Sequence, residues 1–116
     1  MRDVLYVDDL VELMIRAVTR KQESAGQIYN VGGGPSHTIS IWAEFRDVLS
    51  KLVGKLPAVD HGDFRPGDQC IYVSDIRKAQ EQFSWSPQVG LVDGLSRMIA
   101  SASSYSTVVN GACFRP

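Results

Sequence analysis

The 116-residue chain lacks most of what would mark it as an enzyme. Its tyrosines are Tyr6, Tyr29, Tyr72 and Tyr105, and none has a lysine four residues on. A Tyr-x-x-x-Lys pair, which could act as a positioned proton carrier, is therefore missing. No G-x-G-x-x-G run occurs, so the glycine fingerprint that seats a dinucleotide pyrophosphate is missing too. Cysteine is scarce: Cys70 and Cys113 lie far apart and share no metal-ligand spacing with His37 and His61. That usage favours a reduced, cytoplasmic protein without a metal. No apolar run approaches the roughly 18 residues of a membrane span, and no signal-peptide pattern follows Met1. Neither charge sign dominates: 12 Lys and Arg stand against 13 Asp and Glu, and the cations are scattered. This excludes the clustered cationic footprint that nucleic-acid binding needs.

What is present suits one globular domain with a real core: 44% of the residues are hydrophobic and 22% are charged. Asp3 to Val7 has strand composition, and Asp8 or Asp9 offers an N-cap for a helix from Leu10 to Arg20. In that helix Glu12 and Arg16 form a narrow polar stripe within a wide apolar face, which implies burial against more than one neighbour. Gln27 to Val31 has strand character and leads into Gly32-Gly33-Gly34-Pro35-Ser36. Ser40 is a plausible N-cap for a helix from Ile41 to Val53, with Trp42, Phe45, Leu49 and Leu52 at helical spacing and Gly54 as its stop. Leu56 to Asp60 and Ile71 to Val73 resemble short strands. Ser74 or Asp75 caps a short helix over Ile76 to Phe83, and a last helix covers Leu91 to Ala102. The fold class is α/β, with short strands, about four helices and a partly parallel sheet.

Two loops invite chemistry. Gly32-Gly33-Gly34 follows an expected strand and precedes a helix, but its spacing is wrong for a dinucleotide and Pro35 removes an N–H; a flexible turn is the simpler reading. Arg65-Pro66-Gly67-Asp68 puts two opposite charges on a tight turn. A guanidinium there can grip a pyrophosphate through two parallel hydrogen bonds, and a carboxylate can accept from ribose hydroxyls. The same run equally describes a surface turn with an internal salt bridge. His37 and His61 suit structural roles, Trp42 and Trp85 suit core positions, and Asp8-Asp9 suits capping rather than a metal.

Five stretches occur in one order: residues 2–10, Arg-Asp-Val-Leu-Tyr-Val-Asp-Asp-Leu; residues 28–35, Ile-Tyr-Asn-Val-Gly-Gly-Gly-Pro; residues 65–69, Arg-Pro-Gly-Asp-Gln; residues 72–79, Tyr-Val-Ser-Asp-Ile-Arg-Lys-Ala; and residues 83–87, Phe-Ser-Trp-Ser-Pro. Together they resemble the C-terminal portion of the extended short-chain dehydrogenases/reductases that act on nucleotide sugars. The likeness covers residues 2 to about 100. It implies a nucleotide-sugar-binding portion over residues 1–102, without the Rossmann half that binds NAD in the parent family, and an unmatched tail over 103–116 that is disordered or loosely docked.

By that resemblance Arg2 and Arg65 contact the pyrophosphate of a nucleotide diphosphate and Asp68 contacts its ribose. The Gly32 loop and the Trp85 turn are structural. His37 stands where the family has asparagine and Cys70 where it has arginine, which removes a charge beside the anion site. The resemblance implies a truncated portion with no catalytic residue and no cofactor or metal of its own, weak nucleotide-diphosphate binding, and no nucleic-acid or membrane partner. The alternative is an interaction or oligomerisation protein. A homodimer through residues 4–18, or a complementary chain, is expected to cover the apolar helix and the edge strand.

Overall fold

The computed structural model describes residues 1–55, 58, 60, 62–63 and 65–112, except the side chains of Trp42 and of residues 105–112. Its centre is a cluster of Leu13, Ile76, Ala79, Phe83 and Trp85, with Leu5, Ala17 and Tyr29 packed against it. Helix α1 (Val7–Thr19) contributes Leu13 to this cluster, and α4 (Arg77–Phe83) contributes Ala79 and Phe83. Between them in sequence lie α2 (Lys21–Ser24), a 3-10 turn over Pro35–His37, one π-helical turn over Ile41–Phe45, and α3 (Arg46–Val53). Helix α5 (Leu91–Ala112) closes the order.

Polar groups fix the way α1 docks. Trp85, only 2% exposed, donates its indole N–H to the Asp9 carbonyl at 3.0 Å. The buried Asp9 carboxylate accepts from Val89 N at 3.0 Å. Arg16 pairs with Glu12 at 2.6 Å and also donates to the carbonyls of Phe83 and Ser84. Those carbonyls end α4 without intrahelical partners, so a guanidinium there both satisfies them and suits the negative end of the helix. The Glu12–Arg16 stripe thus joins α1 to α4. Neither Asp8 nor Asp9 is the N-cap: α1 begins after Tyr6, with no side-chain cap.

The expected strands are mostly shorter or absent. The segment expected over Asp3 to Val7 is reduced to β1 (Arg2–Asp3), which pairs antiparallel with β2 (Thr38–Ile39). Val4 adds one more bond, to His37 O. Tyr6 then turns away to pack on Gly94 of α5, where an added Cβ would lie 3.0 Å from the ring, and Arg97 stacks over its face. Among the described residues the expected partly parallel sheet survives as a single parallel bridge between Arg2 and Tyr72, in place of the strand expected at Ile71 to Val73.

Gln27 to Val31 is not a strand. It lies along α4 held by side chains: Tyr29 stacks on Phe83 and donates to Gln82, while Lys78 donates to the Ile28 carbonyl. With no strand beside it among the described residues, its β-branched composition has nothing to pair with. The strand expected over Leu56 to Asp60 lies largely outside the described residues.

The helix starting after Ser40 behaves as its chemistry requires. Ser40 Oγ accepts from Ala43 N and Glu44 reaches back to Ser40 N at 2.8 Å, a reciprocal cap. Gly54 ends α3 in the left-handed region at φ 74°. No residue of Arg46–Val53 is buried, however, so this helix sits at the periphery. Ile76 precedes α4, and Asp75 bonds Arg77 N rather than forming a regular cap. The last helix does not stop at Ala102. It runs to Ala112, and the hydroxyls of Ser103 and Ser104 bond back to the carbonyls one turn earlier. Small residues that can back-bond in this way do not break a helix. Among the described residues no helix is long and apolar enough to cross a membrane.

Leu13, 4% exposed, and Ile28, 85% exposed, test this arrangement. Leu13→Ala should cost about 2–5 kcal/mol in urea unfolding, and Ile28→Ala less than about 0.5 kcal/mol. A comparable loss at Ile28 would mean that the Gln27–Val31 segment is buried after all.

Candidate functional site

Asp3 occupies a junction of three segments. Its Oδ2 accepts from Gly34 N at 3.1 Å and from Ser74 N at 3.2 Å. Burial alone would push this carboxyl up, but the N–H groups of Gly34 and Ser74, with the Ser74 hydroxyl, outweigh it and hold the group below its usual value. The glycines answer to the same junction. A Cβ on Gly32 would fall 2.3 Å from Asp3 Oδ2, and one on Gly33 would fall 2.1 Å from the Val4 carbonyl. Gly34, at φ +66°, lies against Ile76. This turn is therefore not a flexible linker. The space its missing side chains leave is filled by the protein itself, so it does not fit a dinucleotide pyrophosphate cradle.

The junction sets where Arg2 goes. Beside Asp3 on β1, Arg2 is bridged to Tyr72, while the Met1 ammonium donates to Cys70 O at 2.7 Å and Tyr72 N donates to Met1 O at 3.0 Å. The N-terminal segment is thereby laid along residues 70–72. The Arg-Pro-Gly-Asp loop forms a tight turn: Asp68 N donates to Arg65 O at 3.0 Å, and Gly67 has φ +83°. Proline then a positive-φ glycine at the central positions is the type II signature. The turn delivers Asp68 Oδ1 to 3.9 Å from Arg2 Nη2.

The ion pair here is thus Arg2–Asp68 and not the internal Arg65–Asp68 pair that a simple surface turn would contain. Arg65 is exposed on the same turn, and among the described residues no carboxylate lies within salt-bridge reach of it. Arg2 and Asp68, with side chains 33% and 50% exposed, hold each other weakly in water. Of the sequence-expected trio, Arg2 and Asp68 are therefore in contact, and Arg65 lies on the same turn as Asp68.

Elsewhere, a cleft of about 450 Å³ is lined by Ile28, Asn30, Asp75, Arg77, Lys78 and Glu81. Its cations already have partners. Arg77 forks onto Asp75, holding that carboxyl down at about 2, and Lys78 donates to Gln27 and Ile28. Among the described residues no group of three or more potential metal ligands occurs. Cys70 is an exposed free thiol, while Cys113 and His61 lie outside the described residues. His37 serves the fold through its carbonyl, which accepts from Val4 N. Trp85 is structural, as expected. The role of Asp3 and Ser74 had no local signal, because it depends on a contact across 71 residues.

Comparison with known proteins places the chain among proteins of the NAD-dependent epimerase/dehydratase type. It belongs to the family described as GDP-mannose 4,6 dehydratase, whose model matches residues 1–98. It is 29% identical over 103 residues to a CDP-paratose 2-epimerase of Salmonella typhi, covering 89% of this chain and 30% of that protein. A UDP-glucuronate 4-epimerase of Thermodesulfobacterium geofontis is 30% identical, with 84% of this chain and 29% of that protein covered. A UDP-glucose 4-epimerase of Mycolicibacterium smegmatis is 31% identical, with 84% and 30% covered. The chain thus spans about 30% of the length of each of the first and third relatives and 29% of the second.

Asp3 makes the junction testable by pH. Its lowered carboxyl contributes stability that is fully present above the ordinary aspartate value of 3.8 and is lost as pH falls through the folded value. Asp3→Asn keeps an acceptor but loses the charge, which should cost about 1 kcal/mol at neutral pH. The gap between the two proteins in urea unfolding should close as the pH is taken below 3.8. A gap that stays constant into acid would remove the charge from the argument.

Proposed function

We propose that this chain is the substrate-side portion of a nucleotide-sugar epimerase or dehydratase, and that it grips the nucleotide diphosphate with Arg2, Arg65 and Asp68. The observation that carries the reading is the convergence of Arg2 and Asp68, 3.9 Å apart across 66 residues, beside the turn that presents Arg65. Two guanidinium groups match the charge of a pyrophosphate, and each can make paired hydrogen bonds to phosphate oxygens. Asp68 accepts from the ribose hydroxyls. The ligand thereby replaces the weak Arg2–Asp68 contact with a stronger partner for each side chain. The names of the relatives, a CDP-paratose and a UDP-glucose epimerase, and of the family, GDP-mannose 4,6 dehydratase, suit this chemistry.

In this reading the chain alone is not an enzyme. The sequence holds neither a Tyr-x-x-x-Lys pair nor a dinucleotide fingerprint, and the Gly32–Gly34 turn is filled by its own protein. Proton abstraction needs a positioned base and hydride transfer needs a bound nicotinamide. We place the chain in the cytoplasm, where the exposed Cys70 thiol stays reduced. A second reading, an interaction or oligomerisation protein without a small-molecule role, is favoured by the exposed apolar residues of α1.

Calorimetric or NMR titration with CDP and UDP, with inorganic phosphate as control, separates the two readings. The nucleotides should bind at about millimolar affinity or weaker, because few contacts offset the ordering cost. Arg65→Ala should weaken binding by about 1–3 kcal/mol, and unchanged affinity in that variant would put the site elsewhere. The purified chain should turn over no nucleotide sugar with added NAD; measurable turnover would overturn the reading of a non-catalytic portion.

A further inference from the structure

Strand β1 meets residues 70–74 with little apolar help. Ile71, Tyr72 and Val73 are 70%, 47% and 36% exposed, so packing does not fix where β1 lies along them. Hydrogen bonds must set the register. Tyr72 N donates to the Met1 carbonyl at 3.0 Å. In a parallel ladder the next amide on that side, Ser74 N, would meet the main-chain carbonyl of Asp3. It meets the Asp3 carboxylate instead, at 3.2 Å. The same oxygen takes Gly34 N at 3.1 Å, and Ser74 is buried. The side chain thus supplies a rung of the pairing at a buried point. One residue back, Arg2 donates from Nη1 to the Met1 carbonyl at 3.2 Å, the acceptor that also receives Tyr72 N, and brings Nη2 to Asp68. A slip of residues 70–74 along β1 would displace that carbonyl, the guanidinium and the Asp68 turn relative to one another.

On the reading that Arg2, Arg65 and Asp68 form a nucleotide-diphosphate site, we infer that Asp3 is its positioning residue, acting on the ligand through Arg2 and not by a contact of its own. The sign of the effect separates this role from simple electrostatics. A carboxylate beside Arg2 opposes an incoming pyrophosphate, so by charge alone its removal would tighten binding. Positioning has the opposite consequence. Asparagine keeps an acceptor but loses the charge-assisted hold on two amides. The register then loosens, and the ligand must order Arg2 at a cost in affinity. Arg65 stands apart from this chain of contacts, because its turn is closed locally by the bond from Asp68 N to Arg65 O. The effect of Asp3 should therefore vanish when Arg2 is removed and persist when Arg65 is removed.

A double-mutant cycle reads this directly. CDP is titrated by NMR into the full 116-residue chain and into Asp3→Asn, alone and combined with Arg2→Gln or Arg65→Ala. Asp3→Asn should weaken CDP binding by about threefold to tenfold in the parent and in the Arg65→Ala background, and by less than about 1.5-fold in the Arg2→Gln background. Circular dichroism at the titration temperature checks that each variant is folded. Where Asp3→Asn does not fold, Ser74→Ala takes its place: it removes only the hydroxyl that bonds the carboxylate, and its smaller loss should show the same dependence on Arg2. A parent that binds CDP, with Asp3→Asn binding it equally or more tightly, would overturn the positioning role and leave the site itself standing. So would an equal loss in the Arg2→Gln background, which is what a general weakening of the fold produces. A parent chain that does not bind CDP would overturn the site and the role of Asp3 together.

Discussion

The carboxylate of Asp3 is the point on which the candidate site depends. It draws Gly34 N and Ser74 N to one oxygen, joining segments 31 and 71 residues away in the chain. Neighbouring groups have no freedom once this is done. Gly32 and Gly33 approach so closely that a single methyl group would collide with Asp3 or the Val4 carbonyl. Arg2 is covalently adjacent, so its direction follows from the same junction. The Met1 and Tyr72 backbone bonds then carry the N-terminal segment to the Arg-Pro-Gly-Asp turn. The anion site proposed for these two loops would need such a fixed point, because ordering free arginines at binding would cost much of the contact energy.

A second polar junction does for the core what Asp3 does for the site. Asp9 receives the Trp85 indole on its carbonyl and Val89 N on its carboxylate, so the turn after α4 is locked to α1 through one residue. A buried carboxylate is costly without partners. With them it specifies which turn of the helix meets the tryptophan. Apolar packing of Leu13, Phe83 and Trp85 supplies the attraction, and these bonds supply the register.

How much of this was legible depended on sequence distance. The Ser40 cap, with Glu44 reaching back, and the Gly54 stop were readable because each is completed within four residues. The Pro66-Gly67 turn was readable for the same reason. The role of Trp85 was readable as burial, but not its bond to Asp9, 76 residues away. Asp8 and Asp9 suggested a cap by residue type alone, whereas the helix begins earlier and Asp9 is turned inward. Gln27 to Val31 had strand composition, but strand formation needs a neighbour that composition cannot report. The trio Arg2, Arg65 and Asp68 was named through motif order; the Arg2–Asp68 pairing came only from the folded chain.

The helix α1 inverts the usual amphipathic arrangement, and that inversion leaves apolar residues exposed on one of its sides. In an ordinary surface helix the charged residues face water and the apolar ones face the core. In α1, Asp9, Glu12 and Arg16 lie toward the rest of the protein, where they satisfy the Val89 N–H and the carbonyls that end α4. Only Leu13 is a buried apolar residue on the helix, with Ala17 partly buried beside it. Polar satisfaction, more than apolar area, therefore fixes the docking of α1. Having met its own chain largely through hydrogen bonds, the helix retains Val7, Val11, Met14 and Val18 uncovered. A design in which the same residues supplied the core contact would leave no such face. The exposed apolar side is thus the complement of the polar lock: one side of α1 fixes the register within the chain through hydrogen bonds, and the other leaves its apolar residues uncovered.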